Sequence, residues 1–404
     1  MRISPMCEFP LEEYRARITA LTGRMRAAGL DGMMLSSREN TRYFCGLQSV
    51  IWPSKVSTPG ILLVNADGKT ALIGSASAVE TARHTSVLDR EDVFCYDRNN
   101  LPGTPSTYPD AVSDAFRRLG LSEGRIGAEF GESCYLHLQY HWYLELCRLL
   151  PGVQFVDAGE EIFHLRSVKS PAEVDLLREA CRRNEESIKA ALSSIVPGQT
   201  TERDVLRHFA GEAFHRHCEN VRELSVRFSN RRVPLAACPA GDVLIEAIPH
   251  APVFAGGGLL LHGYQAYWEH TAVLRAPTPR QQELFDCARR TAEYACKELR
   301  AGASLGGSLQ KINAFAASTS AGAACQTRRA PCAGIGLDPA EPPYFRTACQ
   351  APLPLLEGNV LWLSPCFGTE TDGLFSCCVT LVVTSSGAQL LSSFPESLIA
   401  VALP

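Results

Sequence analysis

No stretch of this chain reaches the roughly 18 consecutive apolar residues that a helix needs to cross a bilayer, so no membrane span is expected. An excess of one charge is missing as well. Lys and Arg number 39 against 43 Asp and Glu, a formal net charge of -4. A basic field for nucleic acid is therefore not predicted, and neither nucleic acid nor a membrane is an expected partner. The opening residues "MRISPMCEFPLEEYRARI" lack the apolar core of a secretory signal. Cysteine is plentiful, with 16 residues, but no CxxC pairs with a second CxxC or an HxxxH, which argues against a structural zinc module. Scattered thiols without an export signal read as reduced cysteines of a cytoplasmic protein.

The 404 residues, 46% hydrophobic and 20% charged, suit two globular domains. In the first part, "PLEEYRARITALTGRMRAAGL" has helical spacing closed by Gly29, and "DGMMLS" reads as a buried strand. "GILLVNADGKTALIG" reads as a hairpin around Asp67-Gly68. Helices over "YPDAVSDAFRRLGL" and "YLHLQYHWYLELCRLLPG" alternate with strands "RIGAEF" and "VQFVDAG", the pattern of an α/β layer domain. The second part opens on a long helix with Ser170 as N-cap, Pro171 at its first turn and Glu173 in the reciprocal capping position. Three more helices and strands near 258–274, 359–364 and 376–383 predict an α+β domain with a curved antiparallel sheet. The expected domains are 1–163 and 164–404.

The stretch "GGGLLLHGYQAYWEHTAVL" reads as two apolar strands and a tight turn, carrying His262 and His270. Two imidazoles on adjacent strands can be metal ligands, an acid/base pair, or plain sheet residues.

Several motifs occur in an order that resembles one family. "SSRENTRYFCGL" resembles its N-domain strand-to-loop motif, and "IFHLRSVKSPAEVDLLREAC" its interdomain signature. "GIGLDPAEPP", "LPLLEGNVLWLSP" and "CCVTLVVTSSGAQLLSSFP" are similar to its glycine loop, central strand and closing strand. The chain resembles the creatinase/prolidase/aminopeptidase P family over nearly its whole length. That resemblance implies a "pita-bread" C-terminal domain and a homodimer in which a loop such as that bearing Trp52 and Lys55 covers a neighbour's site.

Metal-dependent members hold two divalent ions with Asp, Asp, His, Glu and Glu, hard ligands that acidify a bridging water. Carried over by motif, the two loop histidines become Ala333 and Ala340, and the two glutamates become Ser364 and Cys378. The second Asp becomes His270, and the first becomes Leu259 or, with a shortened turn, His262. The resemblance thus implies no ordinary metal pair and no cofactor.

What remains is imidazole, carboxyl and thiol chemistry. The candidate catalytic residues are His250, His270, Glu269 and Cys378. The candidate substrate-binding residues are Trp268, Tyr264, Glu341, Arg346, His262 and Trp52. Tyr267, Trp362, Phe367 and Tyr344 are further aromatics near the same motifs, and Glu370 and Asp372 further acids. Three readings stand open. The first is a metal-independent hydrolase or lyase acting on a C–N or similar bond of a small amino-acid-derived molecule, suited to a specialised biosynthetic pathway. The second is a non-catalytic binding or scaffold descendant. The third is a single-metal site rebuilt from His262, His270 and Cys378.

Overall fold

The computed structural model describes every residue except 4–5, 51–59, 97–102, 132–133, 229–239, 327–331, 345–353, 370 and 404. Trp52, Lys55, Arg346 and Glu370 lie outside the described residues, as does the side chain of Tyr344. The chain divides into two units, Met1–Arg166 and Ser167–Pro404. No helix among the described residues is long and apolar enough to cross a membrane.

In the first unit, α1 (Leu11–Ala27), β1 (Gly32–Leu35), α2 (Arg38–Cys45), β2 (Ile61–Asn65), β3 (Thr70–Ser75) and α3 (Ala76–Thr85) come first. β4 (Val93–Tyr96), α4 (Tyr108–Arg118), β5 (Glu123–Ala128), α5 (Tyr140–Leu149), β6 (Gly152–Asp157) and α6 (Gly159–Ser167) complete it. The six strands form one sheet in the order β4-β3-β2-β1-β5-β6. β1, β2 and β3 pair antiparallel and the outer strands add in parallel. Every residue of β1 and β2 is buried, as a sheet covered on both faces requires.

The segment expected as a strand-to-loop motif forms α2 instead. Ser37 caps it by accepting from the Asn40 N–H, and Gly46 ends it in the left-handed region at φ 71°. The cause is Glu129, fully buried at the end of β5. Its carboxyl accepts from the Ser36 hydroxyl at 2.7 Å and the Ser37 N–H at 2.9 Å, and also from the Ser36 N–H and the Asn40 amide. Asn40 in turn accepts from Arg166 at 2.9 Å. α5 starts at Tyr140, later than its apolar pattern predicts, and the N–H of His137 is spent on the Ser36 hydroxyl at 2.9 Å.

The second unit begins with α7 (Pro171–Ser193), whose capping box joins Ser170 and Glu173 as the sequence predicts. α8 (Glu202–His215), β7 (Asn220–Phe228), β8 (Pro252–Leu261), β9 (Tyr264–Leu274), α9 (Pro279–Glu298) and α10 (Leu305–Ser318) follow. The last strands are β10 (Cys332–Gly334), β11 (Glu341–Tyr344), β12 (Val360–Leu363), β13 (Cys366–Thr369), β14 (Gly373–Ser376), β15 (Val379–Thr384), β16 (Gly387–Leu390) and β17 (Ile399–Val401). They build a four-stranded sheet β17-β9-β8-β7, a five-stranded sheet β11-β10-β12-β15-β16, and the hairpin β13-β14. One core cluster joins α7 and α8 to β8 and β9, and a second joins α9 and α10 to β12 and β15. Helices and strands thus share two cores, each anchored by apolar burial.

Candidate functional site

The β8–β9 hairpin closes on His262 and Gly263, both at positive φ (50° and 81°), the two-residue turn that suits strand twist. Its ladder sets Gly256 opposite Glu269 and Ala255 opposite His270. Side chains alternate along a strand, so Tyr267 and Glu269 share one face while Trp268 and His270 share the other.

On the first face the Glu269 carboxyl accepts from the Tyr267 hydroxyl at 3.0 Å and from the Ser364 hydroxyl. Burial pushes this carboxyl above its ordinary value, against the hydroxyls of Ser364, Tyr267 and Ser376, which favour the charged form. Gly256 leaves the opposite position open, since a Cβ there would stand 3.0 Å from the Tyr267 hydroxyl and 3.3 Å from Glu269. The Tyr267 ring packs on Trp362 with centroids 4.9 Å apart, and the Trp362 N–H donates to the Pro339 carbonyl at 3.1 Å. This face joins a perturbed acid, hydroxyl donors and a half-buried aromatic wall.

Motif counting predicts His270, not Glu269, at the second aspartate position. Glu269 is the residue that stands beside Ser364. His270 turns to the helix side, stacked on Trp268 at 4.9 Å and edge-on to Phe285 at 6.3 Å. It is 1% exposed, and neither ring nitrogen has a hydrogen-bond partner. Burial, helped by the Lys189 charge, lowers its pKa to about 3, which favours the neutral ring at ordinary pH. Trp268, expected against substrate, is core: 1% exposed, with Lys189 over its ring at 5.6 Å.

The other candidates scatter for identifiable reasons. His262 is exposed at the hairpin tip, just beyond the last ladder pair, which itself lies five positions from Glu269, or about 17 Å at strand rise. His250 is exposed at the far end of the ladder, where its Nδ1 lies 2.6 Å from the Ala276 carbonyl and its N–H donates to Leu274. Cys378 is fully buried with its thiol 3.8 Å from the Tyr267 carbonyl. Burial, and then the Glu269 charge, push that thiol well above its ordinary value, which disfavours the thiolate. His262, His270 and Cys378 therefore do not converge, and the single-metal site expected from them is corrected. The Tyr264 hydroxyl donates to Glu173 at 2.6 Å and locks the start of α7. Glu341, 1% exposed, forms an ion pair with Lys169 at 2.5 Å. Phe367 is core, and Asp372 accepts from Thr369 at 2.7 Å in the β13–β14 turn. Ser364 and Ser376 are not among the residues that the sequence singles out for function. The position of Ser364 before Pro365 was the available signal.

Residues 17–168 match the creatinase/prolidase N-terminal domain, and residues 175–385 match metallopeptidase family M24. The chain belongs to metallopeptidase family M24. An uncharacterized hydrolase/peptidase of Sinorhizobium fredii is 22% identical over 402 residues, covering 96% of this chain and 97% of its own length. The ectoine hydrolase of Halomonas elongata is 25% identical over 174 residues, 43% of this chain and 42% of its own. The solved structure of the Xaa-Pro dipeptidase from Bacillus anthracis superposes with a TM-score of 0.79 at 19% identity, over 96% of this chain and 100% of that one. The second unit is thus an M24 unit with the pita-bread fold. Among the described residues, the Glu269 carboxyl has two serines, a tyrosine and a buried thiol around it. Among the described residues of this M24 unit, no three His, Cys, Asp or Glu side chains converge on a point that could hold a metal.

His270 gives this M24 unit a predictable acid sensitivity. An unfolded histidine titrates near 6.5, and the folded one near 3, so the neutral ring favours the fold. That stability is complete above about pH 6.5 and is lost as pH falls toward 3, at about 1.4 kcal/mol per unit. Replacing His270 with Phe, which keeps the stack on Trp268, should recover about 2 kcal/mol at pH 5 and little at pH 8. Urea unfolding at the two pH values measures this. An equal change at both would show that the ring's titration does not matter.

Proposed function

We propose that this chain is a metal-independent enzyme of the M24 fold. It acts on a C–N or similar bond of a small amino-acid-derived substrate, with Glu269 as its proton carrier. The observation that carries the reading is the Glu269 carboxyl itself, held by Tyr267 and Ser364 and pushed above its ordinary value by burial. A carboxyl poised nearer neutrality gives up a proton to a leaving nitrogen, or takes one from water, more readily than an ordinary one. Tyr267 and Ser364 fix its direction, and the Tyr267–Trp362 wall offers flat apolar surface to a small molecule. Among the described residues of the M24 unit no three ligand side chains converge, which does not fit a pair of hard divalent cations that need several charged oxygens. The relative named ectoine hydrolase supports hydrolysis of a small molecule rather than of a peptide.

The test pairs metal analysis with turnover. Chelator-treated protein is incubated with ectoine and with an Xaa-Pro dipeptide, and product is followed by mass spectrometry. Cleavage of the small molecule that survives chelation, with no stoichiometric manganese or cobalt bound on addition, is the expected result. Two ions bound per chain and activity restored only by them would overturn the reading. A second reading is a non-catalytic binding protein. It is favoured by one fact, that the protein itself supplies hydrogen bonds to both carboxyl oxygens of Glu269. Binding of ectoine without product would select it.

A further inference from the structure

Other buried carboxyls of the second unit have a cation of their own. Glu341 has Lys169 at 2.5 Å, Glu202 has Arg227 at 3.5 Å and Glu185 has Lys189 at 4.0 Å. Among the described residues, no lysine, arginine or histidine pairs with Glu269. The titratable groups beside it are the Tyr267 hydroxyl, which donates to it, and the Cys378 thiol, which burial pushes well up. Neither brings positive charge. A carboxylate held partly out of water without a counter-charge is costly, so a ligand that supplies one is favoured.

The open acceptor sites define the shape of that charge. One carboxyl oxygen accepts from Tyr267 and the other from Ser364. Each carboxylate oxygen has two lone pairs, so both oxygens can still accept. A planar fork with two parallel N–H groups matches such a pair, whereas an ammonium acts as a point charge. Thr271 donates to the Leu374 carbonyl at 2.7 Å, which brings β14 beside β9. The Ser376 hydroxyl of β14 is 1% exposed and has no hydrogen-bond partner, so it is left for a ligand. Tyr267 and Trp362, both half-buried, meet with their planes 56° apart and make an aromatic corner whose faces attract a flat cation. Small neighbours leave the corner uncrowded. Gly256 and Gly258 stand opposite Glu269 and Tyr267, and Ala333 stands opposite Trp362.

We propose that this site takes a planar monocation, an amidinium or guanidinium group, with two N–H groups on the two oxygens of Glu269 and its face on the Tyr267–Trp362 corner. The inference rests on the reading of Glu269 as the working carboxyl of a small-molecule enzyme. A cation seated there puts a C–N bond next to the proton carrier.

Benzamidine, neutral benzamide and benzylamine are titrated into the purified full chain by calorimetry. At pH 8 benzamidine should bind roughly 10- to 100-fold more tightly than benzamide, the difference expected from hydrogen bonds to a charged group. Benzylamine should fall between them. The affinity for benzamidine should drop at lower pH as Glu269 takes up a proton, while that for benzamide stays level. Glu269→Gln should remove the preference. Equal binding of benzamidine and benzamide, or a preference that survives in Glu269→Gln, would overturn the ligand class. Benzylamine as tight as benzamidine would overturn the planar fork. These results bear on the ligand alone, because the proton-carrier role of Glu269 is read separately from kcat.

Discussion

Glu269→Gln is expected to lower kcat by roughly 10²–10⁴-fold, the contribution typical of a positioned acid or base, while the fold stays intact. Glutamine keeps the size of the side chain and an oxygen for one of the Tyr267 and Ser364 hydroxyls, and the other hydroxyl, which donates to the second carboxyl oxygen in the parent protein, can turn to accept from the new NH2. What it removes is the titrating proton. Stability supplies an independent control with a definite sign. Burial holds the carboxyl above its ordinary value, so the protonated form favours the folded state. That contribution is present at low pH and is lost as pH rises through the raised pKa. Glu269→Gln should therefore be as stable as the parent at pH 4 and more stable at pH 8. The rate profile adds a second check, because the limb that reports Glu269 should lie above the ordinary carboxyl range. Tyr267→Phe and Ser364→Ala each remove a donor to the charged form, so each should move that limb to higher pH. A Glu269→Gln variant that keeps the parent kcat would sink the proton-carrier role outright.

The sequence carried the architecture further than the site, and the reason is physical. Capping and apolar periodicity are local, so Ser170, Pro171 and Glu173 announce the start of α7, and Asp67-Gly68 announces a hairpin. Face assignment on β9 is not local. One step of register exchanges every side chain between faces, and counting from Tyr267 put His270 where Glu269 stands. The ladder with β8 and the short His262–Gly263 turn fix that register, and neither is visible from β9 alone. Long-range partners were equally hidden. Nothing beside Tyr264 points to Glu173, 91 residues away, and nothing beside Glu341 points to Lys169. Both residues looked available for substrate because their partners lie far off in the chain. Glu129 passed unnoticed for the same cause, since "RIGAEF" reads only as a strand.

That hidden residue yields the largest expected effect on stability. Glu129→Ala should destabilise the first unit by about 3–5 kcal/mol, the usual cost of removing one member of a buried, fully bonded polar set. The carboxyl gathers the Ser36 N–H and hydroxyl, the Ser37 N–H and the Asn40 amide, and it is wholly buried. Removing it leaves those four donors facing a void, each worth about 1–3 kcal/mol unpaired, with partial relief from relaxation and water. Two of these donors are the backbone amides that join β1 to α2, so the damage should concentrate there. Glu129→Gln separates charge and hydrogen bonding from volume. Glutamine fills the space, but whichever way its amide turns, an NH2 group faces a donor: the Ser36 and Ser37 pair on one side, or Asn40 on the other. It should therefore cost nearly as much as alanine, whereas a packing role would leave it close to the parent. Hydrogen exchange of the full chain locates the effect. Protection should fall across residues 32–45 in both variants and stay unchanged across the β8–β9 hairpin. A glutamine variant with parental protection in β1 and α2 would mean that Glu129 fills space and does not organise the junction.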